Sequence, residues 1–166
     1  DGQKRDLLSD DSALVVAYLA GGTHRRIDWI NDNAGPEATF DLLLADYLLE
    51  HGLAGEVRMH LKPYPFFVSD AMIPDVRELI SRLEGAPERL ARAAGERLER
   101  HLQMGRLQLA TDRFWASSYE FRQMPDDLRR DLAQAALVLI KGDANYRRLL
   151  GDRHWPHTAR LAEVAA

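Results

Sequence analysis

The sequence contains no cysteine, which excludes disulfide bonds, thiolate metal sites and a cysteine nucleophile. It also lacks an excess of positive charge: the formal net charge is −4, so we exclude a nucleic-acid binder held by bulk positive charge. No apolar run approaches the roughly 20 residues of a membrane-spanning helix, and none reads as a signal peptide. We therefore expect a cytoplasmic protein whose partners include no nucleic acid and no membrane. The oligomeric state stays open.

Several familiar catalytic patterns are also missing. No serine lies in a nucleophile elbow, and no glycine-rich loop suited to a phosphate or to S-adenosylmethionine is present. The six histidines show no metal-ligand spacing. His154 and His157 are separated by Pro156, which breaks the helix that would bring them to one face. We expect the histidines at the surface.

What is present fits one folded α/β domain. The chain has 166 residues, of which 46% are hydrophobic and 29% charged, enough for one sizeable core. We treat residues 1–166 as a single domain that is truncated at both ends, because the first residues are polar without an initiator methionine.

Strand-like and helical segments alternate along the chain, which predicts a three-layer α/β/α fold with a mainly parallel sheet. The predicted strands cover residues 27–31, 56–61, 106–110 and 136–140. Helices are predicted over 11–20, from Pro36 to Gly52, from Pro74, from Pro87, from Pro125 and over 145–150. The last strand is almost wholly apolar, as expected for a strand covered on both faces. Apolar spacing turns Val76, Leu79, Ile80 and Leu83 of the Pro74 helix inward.

The first predicted strand ends on Asp32 and Asn33, followed by Gly35 and Pro36. Ligands of open α/β sheets bind just beyond the carboxyl ends of strands, and carboxylate and carboxamide oxygens suit Mg²⁺ or Mn²⁺. Alternatively, the two side chains cap the helix that begins at Pro36.

A second candidate is Asp70, which ends the segment after the second strand. It can complete a metal site with Asp32 and Asn33, or it is an ordinary turn aspartate. Asp75 is better explained by the first turn of its helix, where negative charge is favourable.

The third cluster follows the last strand and runs from Lys141 through Gly142 to Arg147. A lysine and an arginine can both hold a phosphate, the lysine as a point charge and the arginine as a fork. The alternative is a solvated loop after a buried strand.

Together these stretches resemble the damage-control metal phosphatase family, in the sugar-phosphate phosphatase branch that also includes a reported protein-glutamate carboxyl methyltransferase. The resemblance rests on DNAGPE at 32–37, PFFVSD at 65–70 and KGDANYR at 141–147. The segment from Phe114-Trp115 to Met124-Pro125 resembles the family too, as does DLLS at 6–9 more weakly. Each motif is short, but their order and separation are specific, and they cover most of the chain.

The resemblance implies an α/β/α fold and a metal-dependent phosphoric monoester hydrolase. Asp32, Asn33 and Asp70 would be the catalytic residues and would bind Mn²⁺, Co²⁺, Ni²⁺ or Mg²⁺. The substrate would be a small phosphorylated metabolite, for example a fructose phosphate. Its contacts would come from a set of seven residues: Asp32, Asn33, Lys141, Asp143, Asn145, Tyr146 and Arg147. The hypothesis is hydrolysis by metal-activated water, which Asp32 or Asp70 would orient.

The chain departs from the family pattern in three places. Gly2-Gln3 stands where the family tends to have Gly-Asn, a C-terminal Arg-Thr-x-Lys motif is not in the sequence, and neither is a helical N-terminal region. We therefore expect metal binding to survive and turnover of this fragment to be weak or absent. Two alternatives stay open: an S-adenosylmethionine-dependent protein carboxyl methyltransferase and a catalytically inactive metal-binding domain.

Overall fold

The computed structural model describes residues 9–165 and contains one four-stranded sheet. The strands are β1 (His24–Ile30), β2 (Ala54–Leu61), β3 (Leu107–Thr111) and β4 (Leu137–Ile140). They are all parallel and lie in the order β3-β2-β1-β4. The predicted α/β class and the four predicted strands are confirmed. The weak resemblance at 6–9 and the Gly2-Gln3 pair fall, wholly or largely, outside the described residues.

Helices lie before, between and after the strands. They are α1 (Ser12–Ala20), α2 (Pro36–Glu50), α3 (Ile73–Glu84), α4 (Arg89–Gln103), α5 (Asp126–Leu132), α6 (Asp143–Leu149) and α7 (Leu161–Val164). The segment predicted to be irregular contains two short 3-10 helices, Arg113–Ala116 and Phe121–Gln123. Each predicted helix forms, with its ends shifted by one or two residues, as is usual for helix termini. None of the helices among residues 9–165 combines the length and the apolar character that crossing a membrane requires.

Two hydrophobic cores lie on opposite faces of the sheet, which gives the three layers. The larger one joins Ile27 and Trp29 of β1 to α2, α3 and α4. The smaller one joins Ile30 to Phe114, Trp115 and α5. Side chains of a strand alternate between faces, so consecutive residues of β1 pack into opposite cores.

The buried face of α2 differs from the apolar stripe that the helical spacing of Phe40, Leu44 and Tyr47 predicts. Phe40 is 72% exposed and Tyr47 is 51% exposed, whereas Asp41 and Asp46 are buried. Both aspartates have ion-pair partners, Lys141 for Asp41 and Arg97 for Asp46, so their burial is compensated. On α3 the prediction holds better: Val76 and Ile80 are buried, and Leu79 and Leu83 pack against the core.

Two further expectations need correction. β4 pairs only with β1 and lies at an edge of the described sheet, so its side chains are half-buried rather than covered on both faces. His60 and His101 are buried, not at the surface. His60 packs edge-on against Trp115, with its Nε2 3.2 Å from Oδ2 of the buried Asp28.

The connection pattern places a crevice between β1 and β4. From β1 the chain moves through β2 to β3, and it then returns to the other side of β1 to form β4. In open α/β sheets, ligands bind beyond the carboxyl ends of the strands at the point where the strand order reverses in this way. The segments after β1 and β4, residues 31–35 and 141–143, begin at this point.

Candidate active site

Asp32, Asn33 and Asp70 lie together at the carboxyl edge of the sheet. Asn33 and Asp70 form an isolated antiparallel bridge. Next to it, the Ala71 N–H donates to the Asp32 carbonyl at 2.9 Å. The segment after β2 therefore returns to lie beside the segment after β1, and it brings Asp70 to the adjacent residues Asp32 and Asn33, from which it is distant in sequence.

Lys62 connects the two carboxylates of this group. Its ammonium donates to Asp32 Oδ1 at 3.1 Å and to Asp70 Oδ1, and the side chain is 2% exposed. Because one nitrogen reaches an oxygen of each carboxylate, Asp32 and Asp70 converge on one point. Sequence reasoning missed Lys62, although it is the first residue after β2 and the rule that singled out Asp32 applies to it equally.

The other polar side-chain atoms of Asp32, Asn33 and Asp70 form hydrogen bonds within the segments after β1 and β2. Asp70 Oδ2 accepts from the backbone N–H groups of Phe66, at 2.6 Å, and Phe67. Asn33 accepts from the Ser69 hydroxyl at 2.6 Å and donates to Asp32 Oδ2 at 3.0 Å. Asp70 is thus both a turn aspartate and a member of the cluster.

Asp32 and Asn33 do not cap α2, which was the alternative explanation for them. The N-cap of α2 is Gly35, and no side chain makes a capping hydrogen bond there. Pro36 occupies the first turn, where its missing N–H costs nothing. Because neither side chain caps the helix, both can contribute to the crevice.

A cavity of about 470 Å³ opens above this cluster. Of the predicted residues, it is lined by Asp32, Asn33, Asp70, Asp143 and Arg147. It is also lined by residues that sequence reasoning did not select: Phe66, Phe67, Ser117, Ser118, Glu120, Ala144, Arg148 and Asp152. The volume suits a small-molecule ligand.

Gly142 allows the segment after β4 to approach Asp32. Its φ is +81°, and a Cβ placed on it would lie 1.9 Å from Asp32 Oδ2. Only a residue without a side chain fits this conformation and this contact. Asp143 follows at the start of α6.

Lys141 does not line the cavity, although it precedes Gly142. Its ammonium contacts Asp41 Oδ1 at 2.9 Å and Glu37 Oε1 at 3.5 Å. Burial lowers the pKa of Lys141, but the hydrogen bond and charge of Asp41 outweigh this and raise the pKa above its ordinary value. Burial in turn raises the pKa of Asp41, despite its bond to Lys141. The predicted substrate contact of Lys141 stays a prediction.

Asn145 and Tyr146 are also outside the residues that line the cavity. The buried Asn145 amide donates to the carbonyls of Lys141 at 2.8 Å and Asn31 at 3.3 Å. Asn145 therefore ties the ends of β1 and β4 together. Tyr146 is exposed, and the substrate contacts predicted for both residues remain predictions.

Two adjacent arginines have different environments. Arg147 is exposed and forms a fork with Asp152, at 2.8 and 2.7 Å; this hydrogen-bonded pair raises the pKa of Arg147 and lowers that of Asp152. The buried Arg148 donates to the carbonyls of Trp115 and Ser117. Burial lowers the pKa of Arg148, while the charges of Asp32 and Asp70 oppose that shift. The sequence pattern selected Arg147 and gave no indication that Arg148 would be the buried member of the pair.

The donor set fits a hard divalent cation. No three His, Cys, Asp or Glu side chains within residues 9–165 are placed to hold a metal ion. The third donor of the predicted set is instead the carboxamide of Asn33. Two carboxylates that already share one cationic group match the oxygen ligands that Mg²⁺ and Mn²⁺ prefer. The Asn33 oxygen accepts from Ser69 and the Asn33 NH₂ faces Asp32, so the carboxamide would have to turn for its oxygen to join them.

Comparison with known proteins gives one consistent result. The damage-control phosphatase ARMT1-like domain matches residues 1–165. The chain is 38% identical to damage-control phosphatase ARMT1 of Danio rerio over 172 residues, which cover 97% of the chain and 38% of that relative. It is 39% identical to the Homo sapiens protein of the same name over 133 residues, which cover 78% of the chain and 30% of the relative.

The chain thus spans little more than a third of the length of the curated relatives it matches. Within that span the match includes the strands and all three loops that form the crevice. The chain belongs to the ARMT1-like damage-control phosphatase family.

Proposed function

We propose that the protein is a divalent-metal-dependent phosphatase that hydrolyses phosphate monoesters of small metabolites, sugar phosphates such as fructose phosphates among them. The observation that carries the proposal is the convergence of Asp32 and Asp70 on one cationic group, beside Asn33, at a cavity of about 470 Å³. The family supports phosphatase activity. The metal, Mn²⁺, Co²⁺, Ni²⁺ or Mg²⁺, and the substrate are part of the proposal.

Asp32, Asn33 and Asp70 would hold the metal. When bound, a divalent cation supplies charge that polarises a phosphoryl group and makes a nearby water more acidic. Asp32 is the better candidate for orienting that water. Its carboxylate accepts from two donors, Lys62 and Asn33, whereas that of Asp70 accepts from Lys62 and from two backbone N–H groups.

Arg147, which also lines the cavity, would bind the phosphate. Its guanidinium already holds a carboxylate as a fork, that of Asp152, and a phosphate offers the same bidentate geometry with more charge. The substrate would therefore replace Asp152 as the partner of Arg147. The charge that shifts onto the phosphoryl oxygens during hydrolysis is then next to a cation.

Phe66 and Phe67 would flank the leaving group. Both line the cavity, and Phe67 is 54% exposed. Apolar walls around a few placed polar groups are typical of small-molecule sites.

The proposal is tested with Asp32→Ala in the full-length protein. We expect at least a 100-fold loss of Mn²⁺ affinity by calorimetry and loss of hydrolysis across a panel of sugar phosphates. The reason is that the Asp32 carboxylate is proposed both to bind the metal and to orient the attacking water. Asp126→Ala in the first turn of α5 is the control and should behave as the wild type. If Asp32→Ala keeps metal-dependent hydrolysis, the assignment is wrong.

The alternatives predict different measurements. A protein carboxyl methyltransferase would bind S-adenosylmethionine in a calorimetric titration, and an inactive metal-binding domain would show a Mn²⁺-dependent thermal shift without hydrolysis of any ester. Cytoplasmic location and the single-domain organisation of residues 1–166 also stay predictions.

A further inference from the structure

Lys62 occupies the point at which two of the three proposed metal ligands meet. Its ammonium is buried and contacts Asp32 Oδ1 and Asp70 Oδ1. We infer that Lys62 competes with a divalent cation for these two carboxylates and so weakens metal binding. The inference rests on the proposed function, because it concerns the same site.

The charges around the site support competition. Asp32 and Asp70 contribute two negative charges and Lys62 one positive charge, within hydrogen-bonding distance of both. A divalent cation that approaches the carboxylates therefore meets a buried like charge. Repulsion between charges a few ångströms apart is strong where water does not screen it. Removal of the ammonium should strengthen cation binding.

The opposite expectation is that Lys62 is needed to keep the ligands in place. The hydrogen bonds argue against it, because each carboxylate has further donors. Asp70 Oδ2 accepts from the backbone N–H groups of Phe66 and Phe67, and Asp32 Oδ2 accepts from Asn33. The backbone bridge between Asn33 and Asp70 also joins the two segments without Lys62.

Loss of Lys62 should nevertheless destabilise the protein when no cation is bound. Two buried carboxylates would then lie close together without their shared counter-charge, and an uncompensated buried charge is strongly destabilising. Competition therefore predicts opposite signs for two measurable quantities: lower stability without the cation and higher affinity for it. A merely structural role predicts that both decrease.

The experiment compares Lys62→Met with the wild type in the full-length protein. Mn²⁺ binding is measured by calorimetry, and thermal unfolding is followed in EDTA and in saturating MnCl₂. We expect a lower Tm in EDTA and at least a tenfold lower Mn²⁺ dissociation constant. The increase in Tm on adding Mn²⁺ should exceed that of the wild type, because tighter binding to the folded state stabilises it more.

Three further variants make the result interpretable. Lys62→Arg keeps the charge and should not bind Mn²⁺ more tightly. Lys62→Gln removes the charge but keeps a donor, and it replaces Lys62→Met if that variant does not fold. Arg97→Met removes a cation that pairs with the buried Asp46 between α2 and α4; it should lower the Tm and leave Mn²⁺ affinity unchanged.

The two levels of the proposal fail differently. If the wild type binds Mn²⁺ and the neutral Lys62 variants bind it equally or more weakly, competition is wrong and the proposed function stands. If neither the wild type nor any Lys62 variant binds Mn²⁺, Co²⁺, Ni²⁺ or Mg²⁺, the proposed function itself is overturned, and the inference with it.

Discussion

At the scale of single residues, the site depends on one missing side chain. Gly142 lies against the Asp32 carboxylate in a conformation, φ +81° and ψ 165°, that other residues rarely adopt. The sequence indicated a tight turn here, because a glycine follows an apolar strand. It did not indicate what the glycine approaches, since the contact joins residues that are 110 positions apart in the chain.

Gly142→Ala should destabilise the protein by at least about 3 kcal/mol, from backbone strain and from crowding of Asp32. Gly105→Ala is the matched control: its φ is +70°, but a Cβ there meets nothing within 4 Å. It should cost only the strain, roughly 1 kcal/mol. Urea unfolding of both variants measures the difference, and the Mn²⁺-induced thermal shift should be reduced in Gly142→Ala alone. Equal losses of stability in the two variants would contradict a special contact at Gly142.

At the scale of elements, α3 and α4 pack closely because α4 contains Gly95. A Cβ on Gly95 would lie 2.4 Å from the backbone nitrogen of Glu84 at the end of α3. The sequence predicted both helices, from Pro74 and from Pro87, but not their contact. A glycine in the middle of a helix lowers helix propensity, and here close helix packing explains its presence.

Gly95→Ala tests this contact, because two effects of opposite sign compete. Helix propensity alone favours alanine by roughly 1 kcal/mol. The clash with the backbone of α3 should outweigh it and give a net destabilisation of about 1–3 kcal/mol. Gly22→Ala, where a Cβ meets nothing within 4 Å, is the control and should change the unfolding free energy little. A stabilised Gly95→Ala variant would show that α3 and α4 can move apart at low cost.

At the scale of the whole molecule, a buried histidine couples stability to pH. His101 of α4 is 1% exposed, and burial lowers its pKa from the ordinary value of 6.5. Arg106 and Arg100 lower it further, whereas Glu50 and Asp46 oppose the shift. The His101 Nε2 lies 2.9 Å from Glu50, but that carboxylate is partly exposed, so solvent screens its charge. The lowering of the His101 pKa by burial is therefore the larger effect.

Stability should therefore fall as the pH decreases through 6.5. Below that value the unfolded chain binds a proton at His101 that the folded protein does not bind, which favours unfolding. We expect Tm to decrease from pH 7 to pH 5, and His101→Gln to flatten this dependence because glutamine does not titrate. His157→Gln, at an exposed position, should leave the slope unchanged. A steeper slope in His101→Gln would mean that His101 is protonated in the folded protein.

The amino-acid sequence by itself determined the order of strands and helices along the chain and the three polar clusters that follow strands. These features depend on side-chain periodicity and on local turn chemistry, which act over a few residues. These features and the family resemblance selected eight site residues before the fold was known. Five of them, Asp32, Asn33, Asp70, Asp143 and Arg147, line the cavity, and Lys141, Asn145 and Tyr146 do not.

Only the tertiary structure decided which charges meet. Lys141 pairs with Asp41 and does not line the cavity, and Lys62 lies between Asp32 and Asp70. The side of α2 that carries aspartates is buried. The contact of Lys62 with Asp32 joins residues 30 positions apart, and that of Lys141 with Asp41 joins residues 100 positions apart. Electrostatic interactions depend on such distances and on burial, and neither quantity is encoded in local periodicity.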